Sequence, residues 1–193
     1  ATSRALIEAE ARASDAVLVL EPALPGGSLK TSRKGCGGFE LRVTGRAAHA
    51  GIEPERGASA VSELARQVLR IEALSDAAAG TTVTVGVIGG GTRPNVVPAE
   101  AQALVDVRAA TAAEAARITA GLLNLVPVDP RTSIAVSGGF DLPPMERSPA
   151  TARLFTLAAG VAREFGRDLG EGGTGGGSDG NLTAAIGVPT LDG

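Results

Sequence analysis

The chain has 193 residues, of which 44% are hydrophobic and 20% charged, and its formal net charge is -3. A chain of this size buries enough surface to fold without disulfides, and its single cysteine, Cys36, cannot form one internally. Its 18 basic against 21 acidic residues argue against a nucleic-acid partner, because phosphate binding needs a basic surface. No apolar run approaches the roughly 20 residues of a membrane span, so we expect a soluble, cytoplasmic protein without membrane contact.

The N-terminal segment is predicted to form a helix followed by a buried strand. The stretch ALIEAEARA has helical composition, and AVLVLEPA is an uninterrupted apolar run of strand length. Such a run is typical of a strand that is buried on both faces. Pro25, Gly26, Gly27 and the cluster Gly35–Gly38 then predict a loop where the chain crosses into a second domain.

Between residues 38 and 137 the apolar period changes in an ordered way. Apolar and polar residues alternate as in a strand over 39–44, 81–88 and 101–107, and 133–136 closes the series. Two helices are predicted between these strands from two sets of apolar residues: Val61, Leu64, Ala65, Val68 and Leu69, and Ala115, Ile118, Leu122 and Leu125. A capping box, Thr111 to Glu114, begins the second helix. The order βαββαβ is that of a ferredoxin-like sandwich.

After Pro143 and Pro144 the helical period returns. Ser148 is placed to cap a helix with Pro149 at its first position. The apolar stripe predicted for this helix consists of Leu154, Leu157, Ala158, Val161, Ala162 and Phe165. A glycine-rich loop, GEGGTGGGSDGN, leads to a short helix at 182–186 and a strand, VPTL. We therefore predict an α/β chain in which a ferredoxin-like domain, 35–140, is inserted between two parts of an α/β domain, 1–34 and 141–193.

Two polar features follow from these positions. Glu21 lies at the carboxyl end of a strand, where open α/β sheets bind ligands, and is a candidate metal ligand or general base. The alternative is that Glu21 pairs with an arginine or is solvated. The glycine-rich loop either binds a carboxylate or peptide through backbone N–H groups or is a structural turn in which Asp179 caps the helix.

His49 is the only histidine of the chain. A lone histidine near a strand end is more often structural than catalytic, and Arg33, Asn95 and Arg108 leave the same choice open. Because catalytic zinc sites use one to three histidines, any metal site here is partial or is completed by residues outside this chain. The missing initial methionine and the ending GVPTLDG predict a piece of a longer protein.

Four segments together resemble one enzyme family. They are VLEPALPGG, FELRVTGRAAHAGIEPERGASAVSELA, GGGTRPNVVPAEAQALVDVRAAT and GGTGGGSDGNLTAAIGVPTLDG. In this order and spacing they are similar to the zinc exopeptidases and amidohydrolases of the family of carboxypeptidase G, succinyl-diaminopimelate desuccinylase, acetylornithine deacetylase and aminoacylase. The long GRAAHAGIEPERG and PPMER stretches are most similar to the glutamate carboxypeptidase branch. The resemblance implies a zinc domain interrupted by a ferredoxin-like lid that mediates homodimerisation.

The resemblance also implies a role for each candidate residue. Glu21 becomes a ligand of one of two zinc ions. His49 becomes the lid histidine that stabilises the oxyanion in the neighbouring subunit's active site. The substrate and its carboxylate are held by Arg33, Asn95, Arg108, Gly176, Gly177 and Ser178.

The departures from the family pattern limit what the chain does alone. The other metal ligands and the general base would precede Ala1 or follow Gly193, so we expect the chain by itself to be inactive and not to hold both zinc ions. Leu142 stands where glutamate-releasing relatives tend to carry arginine, which puts release of glutamate in doubt. For the intact protein we expect hydrolysis of an N-acyl amino acid or dipeptide-like amide. The alternative is a non-catalytic dimerisation or small-molecule binding module that has lost the metal set.

Overall fold

The computed structural model describes residues 3–193. The helices are α1 (Arg4–Arg12), α2 (Ala60–Glu72), α3 (Ala112–Leu123), α4 (Pro149–Glu164) and α5 (Gly180–Ala185). The strands are β1 (Val17–Val19), β2 (Leu29–Arg33), β3 (Gly35–Thr44), β4 (Ala48–His49), β5 (Thr82–Gly90), β6 (Val96–Val97), β7 (Glu100–Ala109), β8 (Ser133–Leu142), β9 (Glu171–Thr174) and β10 (Thr190–Asp192). Across the described range, no helix combines the length and apolar character needed to cross a membrane.

The chain divides into two compact units. The first contains residues 3–36 together with Arg108–Ala115 and Asp141–Gly193, and the second contains Gly37–Val107 and Ala116–Phe140. The sheet of the first unit has the strand order β1-β10-β2-β9. The strands of the second unit form a sheet in the order β5-β7-β3-β8 and a two-stranded ribbon of β4 and β6.

The four-stranded sheet of the second unit confirms the predicted ferredoxin-like fold. Its strands occur along the chain as β3, β5, β7 and β8, separated by α2 and α3 in the βαββαβ order. Strand β5, the second of the four, lies at an edge of the sheet. Alternate residues of β3 and β7 are buried, as their apolar period predicts.

One hydrophobic core holds this unit together. Strand residues of the core are Phe39, Leu41, Val43, Val83, Ala101, Ala103, Val105 and Val107, and its helical residues are Ala60, Leu64, Ile71, Ile118 and Leu122. The Thr111 hydroxyl accepts the N–H of Glu114 at 3.2 Å, which confirms the predicted start of α3.

The buried face of α2 differs from the predicted one. Leu64 is buried as expected, but Val61 and Leu69 are exposed, while Glu63 and Gln67 are fully buried. The reason is a loop that packs on the helix: the Glu63 carboxylate accepts the backbone N–H groups of Val128 and Asp129, both at 2.9 Å. An acceptor was needed on this face, and an apolar side chain could not supply it.

The glycine cluster Gly35–Gly38 was predicted to be a loop but lies inside strand β3. A Cβ on Gly35 would lie 2.8 Å from the ring of Pro144, and one on Gly37 would lie 2.7 Å from the carbonyl oxygen of Gly139. The glycines therefore permit close backbone approach within a strand, which is another established use of this residue.

The first unit corrects three further predictions. Strand β1 is shorter than the predicted run, and it is not buried on both faces because Leu18 is exposed. The predicted stripe of α4 is partly exposed at Leu157, Val161 and Phe165. The first part of the glycine-rich loop forms strand β9, which pairs in parallel with β2.

Strand pairing and helix packing in this unit set the position of the candidate site residues. Strand β10 pairs in parallel with β1 and antiparallel with β2. Helix α4 packs against β10 and β2, and α5 against β10 and β1. The Ser148 hydroxyl accepts the N–H of Thr151 at 3.0 Å, which confirms the predicted cap of α4.

Candidate active site

The ribbon of β4 and β6 places His49 beside Asn95. His49 pairs with Val96 across the ribbon, and the N–H of Ala50 donates to the carbonyl oxygen of Asn95 at 3.0 Å. Both His49 and Asn95 are exposed. Two residues that are 46 positions apart in the printed sequence thus lie at the same end of one ribbon.

The imidazole of His49 is held in one tautomer. The backbone N–H of Gly51 donates to Nδ1 of His49 at 3.1 Å. A nitrogen that accepts a hydrogen bond carries no proton, so in the neutral ring the proton is on Nε2. His49 therefore presents an N–H donor at Nε2, the group that an oxyanion or carbonyl oxygen would bind.

The loop that follows His49 is braced by charged groups. Arg131 donates to the carbonyl oxygen of Gly57 at 3.0 Å and forms a 2.7 Å ion pair with Asp129. The hydrogen bonds from Arg131 hold the pKa of Asp129 at about 2. Arg46 also donates from Nε to the carbonyl oxygen of Arg56. The segment from His49 to Gly57 is thereby tied to the rest of its unit at its far end.

Glu21 lies two residues beyond the end of β1 and is exposed. Its carboxylate makes no hydrogen bond or ion pair with any residue from 3 to 193, so the predicted alternative of a pairing with arginine does not apply there. Within the same range no group of three or more histidine, cysteine, aspartate or glutamate side chains is arranged to hold a metal ion. Glu21 alone does not make a zinc site, and further ligands from outside the described residues would be needed to complete one.

Arg33 forms a buried ion pair with Asp192. Its side chain is 6% exposed, and its Nε and Nη2 donate to the two oxygens of Asp192 at 2.8 and 2.5 Å. Nη1 donates to the carbonyl oxygen of Gly176 at 2.9 Å. These contacts of Arg33 hold the glycine-rich loop, and its role as a substrate ligand stays a prediction.

Asp192 is the centre of this ion pair. Besides Arg33, Lys30 donates to it at 3.2 Å and the Ser178 hydroxyl at 2.5 Å. Burial raises the pKa of Asp192, but the hydrogen bonds from Arg33, Ser178 and Lys30 outweigh it and lower the pKa below its ordinary value. The carboxylate is therefore charged inside the protein.

The loop from Gly175 to Asp179 uses several of its own polar groups internally. The N–H of Ser178 donates to Oδ1 of Asn181 at 2.9 Å, and the Ser178 hydroxyl accepts from Gly180 while donating to Asp192. Asp179 makes no capping hydrogen bond with its side chain. Both donors of Ser178 are thus occupied within the chain.

Arg108 and Leu142 lie at the same loop. Nη1 of Arg108 donates to Sγ of Cys36 at 2.7 Å. A Cβ added at Gly177 would lie 3.0 Å from that sulfur and 2.5 Å from Cδ1 of Leu142. Gly177 is therefore close both to Leu142 and to Cys36, the residue that Arg108 contacts.

Sequence reasoning missed three residues of this arrangement: Lys30, Asn181 and Asp192. Asn181 is fully buried and donates to the carbonyl oxygens of Lys34 and Pro143 at 3.1 and 2.8 Å. A weak signal was present, because Asp192 ends the apolar run VPTL and a charge in that place is unexpected unless it is paired. Its partners are distant along the chain and gave no local signal.

Comparisons with known proteins identify relatives in sequence and in fold. The peptidase dimerisation domain matches residues 31–127. The chain is 31% identical over 194 residues to carboxypeptidase G2 of Pseudomonas sp. (strain RS-16), an alignment that covers 98% of this chain and 47% of that protein. It is 40% identical over 74 residues to one chain of the p-aminobenzoyl-glutamate hydrolase of Escherichia coli (strain K12), covering 38% of this chain and 17% of that one. The chain thus spans about half the length of carboxypeptidase G2, and its alignment with the hydrolase of Escherichia coli covers a smaller part of that protein.

Solved structures show the same fold. Aminopeptidase PepT of Bacillus cereus superposes with a TM-score of 0.77 at 21% identity, over 98% of this chain and 53% of that one. The aminobenzoyl-glutamate utilization protein of Klebsiella pneumoniae superposes with a TM-score of 0.66 at 23% identity, over 95% of this chain and 51% of that one. Because the dimerisation domain covers half of the sequence and the fold agrees over nearly all of it, the chain belongs to the family of peptidases and amidohydrolases that includes carboxypeptidase G.

Proposed function

We propose that the intact protein is a zinc-dependent amidohydrolase that cleaves the amide bond of an N-acyl amino acid or a dipeptide-like substrate. Relatives of this chain are hydrolases, and the name of one of them, p-aminobenzoyl-glutamate hydrolase, describes an N-acyl amino acid as the substrate. In this proposal residues 35–140 form the lid, and the parts before and after it belong to the catalytic domain with Glu21 as one zinc ligand. The chain by itself, with Glu21 as its single proposed ligand, is inactive.

The observation that carries the proposal is the tautomer of His49. The hydrogen bond from Gly51 to Nδ1 leaves Nε2–H as a fixed donor on an exposed ribbon. When a nucleophile attacks an amide carbonyl, its oxygen gains negative charge, and a pre-oriented N–H donor stabilises that charge. We assign this task to His49, acting in the active site of the neighbouring protomer of a homodimer.

Substrate binding is assigned to the other candidate residues. Asn95 lies beside His49 and would hold the substrate near the reacting carbonyl. Arg108 and the N–H groups of Gly176 and Gly177 would bind the carboxylate that an N-acyl amino acid carries. Leu142, in contact with the loop at Gly177, would favour a small or apolar side chain over that of glutamate.

Replacement of His49 in the intact protein tests the proposal. His49→Ala should keep the fold and the dimer while kcat falls by about 100-fold or more, because one oxyanion donor is lost. The matched control is Glu55→Ala, an exposed side chain on the same loop. The control should retain wild-type kcat.

Mixed dimers show in which protomer His49 acts. The His49→Ala protein is combined with a protein inactivated at its general base, and heterodimers are purified. One site of such a heterodimer holds an intact base and an intact His49 from the partner, so part of the activity should return. Heterodimers without activity would place His49 outside the partner's site, and an inactive wild-type protein would favour the non-catalytic binding module.

A further inference from the structure

Asp192 is a buried carboxylate that two separate cations contact. Its side chain is 0% exposed, and it receives hydrogen bonds from Arg33, Lys30 and Ser178. Lys30 precedes Arg33 by three positions on β2, and the cation of each side chain is more than nine-tenths buried. Three charged groups are thus withdrawn from water at one point of the first unit.

Each cation also contacts a backbone carbonyl on a different segment. Nζ of Lys30 donates to the carbonyl oxygen of Pro22, the residue after Glu21. Nη1 of Arg33 donates to the carbonyl oxygen of Gly176 at 2.9 Å, and the Ser178 hydroxyl reaches Asp192 directly. One carboxylate is therefore joined to the segment that presents Glu21 and to the loop that presents Gly176 and Gly177.

Burying these three charged groups costs free energy, and a contribution to stability does not by itself account for the arrangement. Removing ions from water is unfavourable, and a buried ion pair is frequently no more stable than apolar residues of the same volume. What the ion pair does supply is direction, because a guanidinium has its donors in a fixed plane and Arg33 uses them on two partners at once. The network thereby fixes the relative positions of the two segments that it joins.

We propose that Asp192 is a positioning residue that anchors the Glu21–Pro22 segment through Lys30 and the Gly176–Ser178 loop through Arg33 and Ser178. The catalytic meaning of this anchoring rests on the proposed function, whereas the anchoring itself is a property of the chain. Asp192 does not touch the substrate. It acts on the reaction through the two segments that it holds.

Two single variants test the two connections separately, one from Lys30 to Pro22 and the other from Arg33 to Gly176. Lys30→Met removes the contact to Pro22 and keeps Arg33 opposite Asp192. Arg33→Lys keeps a positive charge opposite Asp192 but loses the planar fork that reaches Gly176. These two variants retain a compensated carboxylate, so they stay informative if Asp192→Asn, which strands both cations, does not fold.

NMR backbone order parameters of the 193-residue chain measure the anchoring without any assay of activity. We expect the N–H order parameters of Glu21 and Ala23 to fall from about 0.85 to below about 0.6 in Lys30→Met, with those of 176–178 unchanged, and the reverse in Arg33→Lys. Asp192→Asn, where folded, should loosen both segments. The control is Thr151→Val, which removes a buried hydroxyl of α4 and should loosen neither.

Kinetics of the intact enzyme then show whether the anchoring serves the reaction. Arg33→Lys should raise KM about 10-fold with kcat nearly retained, because the loop proposed to hold the substrate is loosened, and Lys30→Met should lower kcat with KM nearly retained. If both variants lowered kcat and raised KM to the same extent, the network would have only a structural role. Unchanged order parameters in both variants would overturn the anchoring itself, while an inactive wild-type protein with the expected order parameters would overturn only the proposed function.

Discussion

At the scale of single residues, the most informative side chains are buried carboxylates. Glu63 on α2 is fully buried and accepts hydrogen bonds from Gln67, Val128 and Asp129. Burial raises the pKa of Glu63, but these hydrogen bonds, together with the charge of Arg66, lower it below the ordinary value of 4.5. Glu63 therefore acts as an acceptor that satisfies the backbone of the loop after α3, at a position outside the apolar face that the helical period predicted.

Glu63→Gln should destabilise the chain in a pH-dependent way. Glutamine has one acceptor oxygen, so its NH₂ group meets a backbone N–H, and we expect a loss of about 2 kcal/mol at pH 7, typical of hydrogen bonds to a charged group. The pKa of Glu63 is lowered by folding, so its charge stabilises the folded state above pH 4.5, and this contribution is lost as the pH falls below that value. The difference between the two proteins should shrink from pH 7 to pH values below about 4.

Urea unfolding at several pH values measures this difference. Glu72→Gln, on an exposed position of the same helix, is the control and should leave the free energy of unfolding nearly unchanged. A constant difference between wild type and Glu63→Gln across the pH range would show that the charge of Glu63 contributes nothing.

At the scale of elements, periodicity predicted well which segments are helices and strands. It predicted less well which face of each element is buried. The alternation in β3 and β7 corresponds to their buried faces because both lie in the interior of the sheet. The face of α2 was set by the loop that packs on it, and the glycines of β3 by the backbone that approaches them. Contacts from distant parts of the chain therefore decided the details that local pattern left open.

Gly45, the residue directly after β3, provides a test at this scale. A Cβ there would lie 2.0 Å from the carbonyl oxygen of Ala58, and that oxygen is held by the N–H of Arg46 at 2.8 Å. Gly45→Ala should cost about 2 kcal/mol or more, because a backbone atom has to move. Gly139→Ala, with no atom within 4 Å of the added Cβ, is the control, and chemical denaturation of both variants gives the comparison. Equal stability of the two would contradict the close approach at Gly45.

At the scale of the whole molecule, exposed apolar residues of the second unit indicate a partner surface. Strand β5 lies at a sheet edge and leaves Val87 and Ile88 exposed, and α2 leaves Val61 and Leu69 exposed. An unpaired edge strand with apolar side chains invites pairing with a second chain. The domain that matches this region is a dimerisation domain, which supports the proposed homodimer.

Charged substitutions should dissociate this dimer. Ile88→Lys and Leu69→Lys place a charge on the edge strand and on the helix face, at positions that are 65% and 72% exposed. We expect the intact wild-type protein to sediment as a dimer and both variants to shift toward monomer at micromolar concentration. Leu157→Lys, on an equally exposed residue of α4 in the first unit, should remain dimeric. A wild-type protein that is monomeric at high micromolar concentration would refute the proposal.

The sequence by itself determined the features that depend on neighbouring residues. These are the βαββαβ order, the alternation of β3 and β7, and the caps at Thr111 and Ser148. Each follows from a period or a hydrogen bond that spans a few positions.

Only the tertiary structure decided the chemistry of Arg33 and the neighbours of His49. The sequence placed Arg33 among candidate substrate ligands, whereas folding pairs it with Asp192, 159 positions away. Folding also sets His49 beside Asn95 by the register of a two-residue ribbon. The interaction of a charged side chain depends on distance in space and not on separation along the chain. Its partner is therefore decided only when the strands that carry both residues are paired.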